Sequence, residues 1–374
     1  MKTYLVGGAV RDRLLGIEPR ERDWVVLGAT PEEIEALGFR RLDAEFPVFS
    51  HPESGEQYAL ARRERKSGAG HKGFVVEHGP DVSLEEDLRR RDLRINAMAE
   101  SPDGELVDPF GGRDDLDHRV LRHVSPAFDE DPLRVLRAAR FAARFAHLGF
   151  EIAEATRELM QSMAADPDMR SLSDGRIWRE VELALATPTP GRFFTELEAC
   201  GGLAVVLPEL AAEAGPAGSF HVLDAAADPR PEIRFAALVN ACTGGEPART
   251  ERILERLAQR FPVPKKYLEL ARIVPLLRRE PATGDAETIL ATLESADAFR
   301  RPERFADALA VCDALDRESA SPRATERLRR VHRSAAAVRG EESLRNASPN
   351  ERPADAIRRD RLAAIRSSLK DEAT

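Results

Sequence analysis

Two acidic residues, Glu21 and Asp23, stand one position apart just before an apolar run, and the pair Gly7–Gly8 precedes them in the chain. In a β-strand, residues i and i+2 project from the same face, so a strand over residues 21–27 would present both carboxylates together. Such a pair suits a divalent cation, because Mg²⁺ typically takes one or two carboxylates and fills its shell with substrate phosphate and water. The spacing therefore predicts a metal site. A tight turn followed by an edge strand with solvated acids is the alternative.

The glycine pair lies between an apolar run at 4–6 and a helix-like stretch that contains Arg11. Glycines let backbone amides come close to phosphate groups. An arginine one helical turn further on can neutralise a phosphate. Gly7, Gly8 and Arg11 therefore predict a phosphate-binding turn beside the metal site.

Arginine is concentrated in two further segments. Residues 88–99 read LRRRDLRINAMA, with Arg89, Arg90 and Arg91 in succession, and residues 127–145 read AFDEDPLRVLRAARFAARF. A helix over 127–145 would place one acid and four arginines within about 120° of one face. These residues are Glu130, Arg134, Arg137, Arg140 and Arg144, with Asp131 at the rim of the stripe. A surface helix stabilised by i,i+4 ion pairs is the alternative.

Composition and charge indicate a soluble, globular class. Of the 374 residues, 32 % are charged and 42 % are hydrophobic, and no apolar run approaches the roughly 18 residues of a membrane span. The N-terminus shows no secretory signal, and Cys200, Cys242 and Cys312 are scattered, so we expect a cytoplasmic protein that does not bind membranes. A net charge of −9 argues against indiscriminate coating of nucleic acid but permits a local basic groove.

Residues 1–110 mix β-like and helical patterns, whereas strand signals nearly vanish after about residue 125. The predicted strands are 4–6, 24–27, 57–61, 74–77 and 105–107, and the predicted early helices are 9–16, 31–37 and 84–90. Proline-containing breaks divide the remainder into about a dozen helices. A linker is predicted at 340–355 and a last helix at 354–369.

Several of these segments occur together, in an order and spacing that resemble a known family. GGAVRD, the acid pair, RRDLRINAMA, DPFGG and EDPLRVLRAARFAARF are similar to motifs of the bacterial class II tRNA nucleotidyltransferases, the CCA-adding enzymes of the polymerase-β superfamily. The similarity is greatest to the gammaproteobacterial type and extends through LPEL at 207–210 and weakly to the last helix. It implies an α+β protein with a small polymerase-β-like nucleotidyltransferase head and an all-α neck, body and tail. The implied domains are a head at 1–125, a neck at 126–190, a body at 191–275 and a tail at 276–374.

The resemblance also implies roles for individual residues. Glu21 and Asp23 would hold Mg²⁺ while a nucleotide passes from CTP or ATP to the 3′-hydroxyl of tRNA and pyrophosphate leaves. The residues that would bind the nucleotide are Gly8, Arg11, Arg91, Arg137 and Arg140, and those that would read the base are Glu130, Asp131 and Arg134. Asp92 and Asn96 would brace the Arg91 segment. Base reading of this kind is physically sensible, since a carboxylate accepts from the exocyclic amine that C and A share and arginine donates to ring acceptors.

Other members of the superfamily remain possible at this point. The segment ERKSGAGHKG at 64–73 resembles the flexible loop that lets family members change from C to A, which favours full CCA addition. The alternatives are an enzyme that adds only CC or only A, a poly(A) polymerase, and a catalytically weak tRNA-binding protein. The last arises because Glu21 stands where the family usually has aspartate, and the extra methylene moves the carboxylate by about 1 Å.

The second half of the chain carries two further expectations. Relatives of this type often have a metal-dependent HD phosphohydrolase domain, but Asn240 and Ala241 stand where its His-Asp dipeptide is expected, so we predict that this activity is absent. In the predicted tail, Arg323, Arg327 and Arg330 follow i, i+4, i+7 and predict a basic stripe that contacts tRNA. A solvated helix is the alternative. The sequence does not indicate an oligomeric state.

Overall fold

The structure, a computed structural model, describes residues 1–43, 47–66, 74–213, 220–226, 228–279, 284–317 and 323–370. The chain divides into two compact units, one formed by 1–180 with 192–206 and the other by 181–191 with 207–374. The first unit contains the sheet and the second is helical, so the predicted α+β class is confirmed. The division into head, neck, body and tail stays a prediction.

Within the described residues, the main sheet has seven strands in the order β3-β4-β5-β2-β1-β8-β9. Only β2 and β5 run parallel, and the other neighbours are antiparallel. Two small sheets pair β6 with β7 and β10 with β11. The strands are β1 (Lys2–Val6), β2 (Asp23–Leu27), β3 (Arg40–Arg41), β4 (Val48–Ser50), β5 (Gln57–Leu60), β6 (Arg62–Lys66), β7 (Phe74–His78), β8 (Ala99–Glu100), β9 (Leu106–Val107), β10 (Val120–Leu121) and β11 (Glu151–Ile152). All five predicted strands are present, and those that the sequence missed are mostly two or three residues long.

The remaining long elements of the described chain are α-helices, and none of them is both long and apolar enough to cross a lipid bilayer. They are α1 (Gly8–Leu14), α2 (Pro31–Ala36), α3 (Leu84–Arg89), α4 (Gly112–Asp117), α5 (Leu133–Phe145), α6 (Glu154–Ala165), α7 (Asp174–Leu185), α8 (Gly191–Ala199), α9 (Gly202–Val206), α10 (Pro208–Ala211), α11 (Val222–Ala225), α12 (Pro231–Thr243), α13 (Pro247–Arg260), α14 (Lys265–Arg279), α15 (Ala286–Ser295), α16 (Pro302–Asp316), α17 (Arg323–Ala336), α18 (Gly340–Arg345) and α19 (Pro353–Lys370).

The predicted linker at 340–355 is wrong in its first part, because α18 forms there. Glu341 and Glu342 lie in the first turn of α18, where acidic side chains favour a helix N-terminus. A Cβ at Gly340 would lie 3.5 Å from the side chain of Ile357, so α18 begins against α19. Polar composition alone therefore did not distinguish this short, packed helix from a loop.

The two faces of the main sheet bury different clusters. On β2, Val25 packs with Val6 and Leu88 on one face, and Val26 packs with Ile34 and Phe49 on the other. Alternate residues of a strand point to opposite faces, so Asp23 shares the Val25 face. The α2 side of the sheet is therefore closed by apolar contacts, and any chemistry of Asp23 takes place on the opposite face.

Strand pairing explains where β2 begins. Val6, the last residue of β1, pairs with Asp23 in the antiparallel register. The next residue, Gly7, has φ +69°, a conformation that L side chains rarely adopt, and leads the chain into α1. With no partner beyond Asp23, β2 starts at that residue and not at position 21. The predicted strand at 24–27 is thus present, but the longer strand over 21–27 that would place Glu21 and Asp23 on one face does not form, and Glu21 lies in the segment before β2.

The start of α5 also differs from the prediction of one helix over 127–145. Glu130 ends a short 3₁₀ helix, Asp131 is extended at φ −121° and ψ 108°, and α5 begins at Leu133. Proline at 132 disfavours the helical region for the residue before it, so the EDP sequence breaks the helix there. Glu130 therefore does not share a helix face with the α5 arginines.

Candidate active site

A cavity of about 510 Å³ lies in the first unit, where the glycine turn, β2, the segment after α3, and α5 meet. The residues that line it are Gly7, Gly8, Arg11, Asp23, Arg62, Arg90, Arg91, Asp92, Asn96, Asp131, Leu133, Arg134, Arg137, Arg140, Phe141, Arg144 and Arg176. Nine of these are arginines against three aspartates, so the cavity suits a polyanion in a chain that is acidic as a whole. The structure thus brings together all but two of the predicted catalytic and nucleotide-contacting residues, and the exceptions are Glu21 and Glu130.

Asp23 and Glu21 lie close enough to interact. Burial by the surrounding cleft raises the pKa of Asp23, Arg91 opposes this shift, and the negative charge of Glu21 adds to it. Both residues are nevertheless reached by solvent. Neither carboxylate makes a hydrogen bond or an ion pair with any residue that the structure describes.

This pair of carboxylates fits a divalent cation. The carboxylates of Glu21 and Asp23 interact electrostatically, and carboxylate oxygens are the ligands that hard cations prefer. The described residues contain no group of three or more side chains that could hold a metal, so substrate and water would have to supply the remaining ligands. Glu21 lines a second cleft, together with Asp23 and Glu56, and does not line the cavity.

Arg91 lies directly against the glycine turn. A Cβ added at Gly7 would lie 2.7 Å from Nη1 of Arg91, closer than real Cβ contacts. The other terminal nitrogen of Arg91, Nη2, is 3.2 Å from Oδ2 of Asp87, a fully buried carboxylate that also binds Arg90. Position 7 therefore requires glycine for two reasons: its backbone conformation and the space that Arg91 occupies.

The ion pairs of Asp87 explain why arginines stand in succession at 89–91, which the sequence alone did not explain. Although burial disfavours its charged form, the charges of Arg90 and Arg91 hold the pKa of Asp87 below its ordinary value. Arg89, in contrast, points outward and pairs with Glu85. Two of the three arginines in this run are thus held at the cavity by one buried acid.

Arg11 differs from the prediction in its surroundings. It lines the cavity, but only 2 % of its surface is exposed, and it donates to Asp12 and Asn96. Its guanidinium also lies over the rings of Phe141 and Phe145, and burial lowers its pKa to about 10. Arg11 thus fixes the end of α1 against α5, and its contact with a phosphate stays a prediction.

The arginines of α5 each have an acidic or backbone partner from a different part of the first unit. Arg137 binds Asp92 at 2.7 Å, and Arg144 binds Asp12 at the same distance. Arg140 binds Glu180. These three partners lie 40 or more residues away along the chain, so they are not the i,i+4 ion pairs of an isolated surface helix.

Asp92 and Asn96 brace the neighbouring segment, as expected. Oδ1 of Asp92 accepts from the backbone amide of Leu93 at 2.8 Å and from Nδ2 of Asn96 at 2.9 Å. Burial alone would raise the pKa of Asp92, but Arg137 and the hydrogen bonds of Asn96 and Leu93 hold it well below its ordinary value. Asp92 is therefore an ionised, buried link between this segment and α5.

Arg134 and Asp131 occupy fixed positions at the start of α5. Arg134 is buried and donates to the backbone carbonyls of Ala127 and Arg90. Asp131 accepts from the backbone amide of Leu133 at 3.0 Å through Oδ1 and from Arg176 at 2.9 Å through Oδ2. The two candidate base-reading groups are thus oriented before any base arrives.

Arg176, on α7, is a cavity residue that sequence reasoning missed. The sequence signal for it was the i,i+4 spacing of Arg176 and Glu180, which places both on one helix face. In the structure both residues bind the Asp131–Arg140 segment. Glu130 is half-buried and does not line the cavity. Its predicted part in base reading therefore stays a prediction and has less support than that of Asp131.

Three expectations concern other parts of the chain. Asn240, at the expected His-Asp position, is fully buried, and its Nδ2 donates to the carbonyls of Ala236 and Ala271, which ties α12 to α14. On α17, Arg327 and Arg330 are half-buried, and the predicted contact of this stripe with tRNA stays a prediction. The side chain of Arg323 and the loop residues 67–73 lie outside the described residues.

Family models match both parts of the first half of the chain. A model of the poly(A) polymerase head domain matches residues 3–122. A model described as a probable RNA- and SrmB-binding site of polymerase A matches residues 149–213. Both matches agree with a nucleotidyltransferase head followed by a helical segment.

Curated relatives and solved structures match over nearly the whole chain. The chain is 45 % identical to a CCA-adding enzyme of Pseudomonas putida, with 98 % of each sequence covered. It is 48 % identical to a multifunctional CCA protein of Thioalkalivibrio sulfidiphilus, with 84 % of each covered. The structure is similar to that of a Bacillus stearothermophilus CCA-adding enzyme in complex with CTP, with 25 % identity, a TM-score of 0.65, and coverage of 99 % of this chain and 89 % of the other.

Proposed function

This chain belongs to the CCA-adding enzyme family, the class II tRNA nucleotidyltransferases, and we propose that it adds C, C and A to the 3′ end of tRNA from CTP and ATP. The observation that supports this most directly is the cavity in which Asp23, the glycine turn and the arginines of α5 meet. The groups there can bind a triphosphate, a cation and the edge of a base.

The triphosphate would bind between the glycine turn and the arginines. Gly7 and Gly8 allow the backbone to approach a phosphate closely, and Arg91, fixed by Asp87, lies against that turn. Arg137 and Arg140 extend the positive wall along α5. Because their acidic partners already orient these guanidinium groups, little side-chain entropy remains to be lost on binding.

Base selection would depend on Asp131 and Arg134. A carboxylate offers about four lone-pair positions, and two of those on Asp131 are used by Leu133 and Arg176. The carboxylate can therefore still accept from the amine that cytosine and adenine share. Arg134, fixed by two backbone carbonyls, would donate to a ring acceptor of the same base.

Glu21 and Asp23 would hold a divalent cation, for which we propose Mg²⁺ because the donors are oxygens only. Bound there, such a cation supplies charge stabilisation at the reacting phosphate. In the reaction the 3′-oxygen of tRNA bonds to the α-phosphorus, the bond from that phosphorus to the bridging oxygen breaks, and pyrophosphate leaves. The hydroxyl proton passes to solvent.

The test is incorporation into tRNA that lacks its 3′ CCA. The purified chain is incubated with this tRNA, Mg²⁺ and labelled CTP and ATP, separately and together. Extension by CC with CTP alone and by CCA with both nucleotides supports the proposal. Addition of only CC, only A, or a run of A would indicate a partial enzyme or a poly(A) polymerase. Binding of tRNA without incorporation would refute the enzymatic proposal.

A further inference from the structure

The second cleft, of about 340 Å³, shares Asp23 with the cavity. The cavity is lined by the glycine turn that follows β1 and the cleft by the start of β5, and β1 and β5 flank β2 on opposite sides in the sheet. The cleft is formed by two segments, 19–23 before β2 and 54–57 at the start of β5. Asp23 is the one described residue that lines both the cavity and the cleft. The parallel register sets Gln57 opposite Asp23, so the cleft continues directly from the candidate metal site.

The geometry of the reaction indicates a role for the cleft beside Asp23, and this role rests on the proposed function. In nucleotidyl transfer the attacking oxygen and the leaving pyrophosphate lie roughly in line on opposite sides of the phosphorus. If the triphosphate occupies the arginine-lined cavity, the attacking 3′-oxygen has to reach Asp23 from the other side. The cleft is the concave surface there.

The charges of the cleft suit a nucleic-acid strand. Arg20 is exposed, and the structure gives it no hydrogen bond or ion pair with any residue that it describes. Arg22 has 57 % of its side chain exposed and lies 3.8 Å from Glu56. Most arginines around the neighbouring cavity are held by acids or backbone carbonyls, so these two are unusual in having donors that face solvent. Exposed arginine donors match phosphate oxygens.

The wall that faces these arginines is well ordered by local hydrogen bonds. Nδ1 of His51 accepts from the backbone amides of Glu53 and Ser54, and the amide of Gly55 donates to the carbonyl of His51. Glu56 accepts from the indole of Trp24 at 2.8 Å. These hydrogen bonds hold the 54–57 wall of the cleft in place.

We propose that this cleft binds the unpaired 3′-terminal nucleotides of the acceptor RNA strand. Arg20 and Arg22 contact the phosphates of these nucleotides, and the strand delivers its 3′-oxygen to the face of Asp23 opposite the triphosphate. Three carboxylates, Glu21, Asp23 and Glu56, line the cleft with the two arginines, so a divalent cation at Glu21 and Asp23 turns the local balance from negative to positive. Binding of the strand end is therefore expected to be tighter with Mg²⁺ present.

The test compares binding of two RNAs by the full chain without CTP or ATP, so that no turnover occurs. One is an acceptor-stem minihelix with two unpaired 3′ nucleotides, and the other is the same minihelix with a blunt end. In the double variant Arg20→Ala/Arg22→Ala, we expect about tenfold weaker binding of the overhang RNA. We expect its salt dependence to flatten by about 1.4 in slope, or about 0.7 for each phosphate contact. Binding of the blunt RNA and the KM for CTP should not change.

Two matched variants control for charge and fold. Arg40→Ala/Arg170→Ala removes two exposed arginines of the same unit that do not line the cleft, and it should leave the ratio of the two affinities unchanged. Arg20→Lys/Arg22→Lys should restore most of the overhang preference. An unchanged ratio in the alanine variant, or a rise in its KM for CTP, would overturn the inference. Failure of the wild-type chain to incorporate nucleotides would refute the proposed function, whereas the binding ratio would still decide this inference.

Discussion

Substitution of Gly7 by alanine should affect nucleotide binding through Arg91. At φ +69° and ψ −125°, an alanine costs about 1–3 kcal/mol in backbone strain. Its Cβ would also lie 2.7 Å from Nη1 of Arg91, so that flexible side chain has to move away from the glycine turn. A charge-assisted hydrogen bond to phosphate contributes about 1.5–3 kcal/mol, so we expect KM for CTP to rise by about tenfold or more.

Gly28→Ala is the matched control for this prediction. Gly28 lies in the same unit at φ +67°, and a Cβ there would meet no atom within 4 Å. Gly28→Ala should therefore lower the unfolding free energy by about 1–2 kcal/mol but leave KM for CTP unchanged. Urea unfolding and steady-state kinetics on both variants separate the two effects.

A double-mutant cycle with Arg91→Ala tests the cause. If Gly7→Ala acts by displacing Arg91, the double variant should have a KM for CTP close to that of Arg91→Ala alone. Fully additive effects would show that the two residues act independently. Equal KM values in Gly7→Ala and Gly28→Ala would refute the reasoning.

Four further outcomes are expected. Asp92→Asn should lower the free energy of unfolding at pH 7. Because the folded-state pKa of Asp92 lies below its ordinary value, the difference from wild type should be complete above about pH 5 and shrink as pH falls below about 4. Urea midpoints at pH 7 and pH 3 measure this difference, and a pH-independent difference would contradict the ion pair with Arg137. Asp23→Asn should lower kcat by at least about 10²-fold without loss of thermal stability, because Asp23 has no ion pair among the described residues; a correctly folded, fully active variant would exclude it from the metal site. The chain should not hydrolyse 2′,3′-cyclic AMP with added Ni²⁺ or Mg²⁺, and robust hydrolysis would disprove this. Charge reversal at Arg327 and Arg330 should weaken tRNA binding and flatten its salt dependence, and unchanged affinity at every salt concentration would remove α17 from the interface.

Much of the fold and the chemistry of the site followed from short stretches of the chain. The glycine turn, the strand that begins at Asp23 and the end of the 3₁₀ helix before Pro132 depend on backbone preferences within a few residues. The family resemblance rested on the same short motifs, and the comparisons confirm it. Errors arose where a periodic pattern was extended across a boundary, as at residues 21–22 and 127–132, because periodicity does not register the absence of a partner strand or the effect of proline on the preceding residue.

The sequence by itself thus determined which groups are available: paired acids, a phosphate-binding turn and an arginine-rich helix. Only the tertiary structure decided which of these groups are already paired. Asp12, Asp92 and Glu180 bind arginines of α5 from 40 or more positions away, and such partners depend on which segments pack together, not on local spacing. The same packing brings Arg176 to Asp131 and sets Asp23 between a cavity and a cleft. Local preferences specify elements within a few residues, whereas these long-range ion pairs and the cavity form only when distant elements meet.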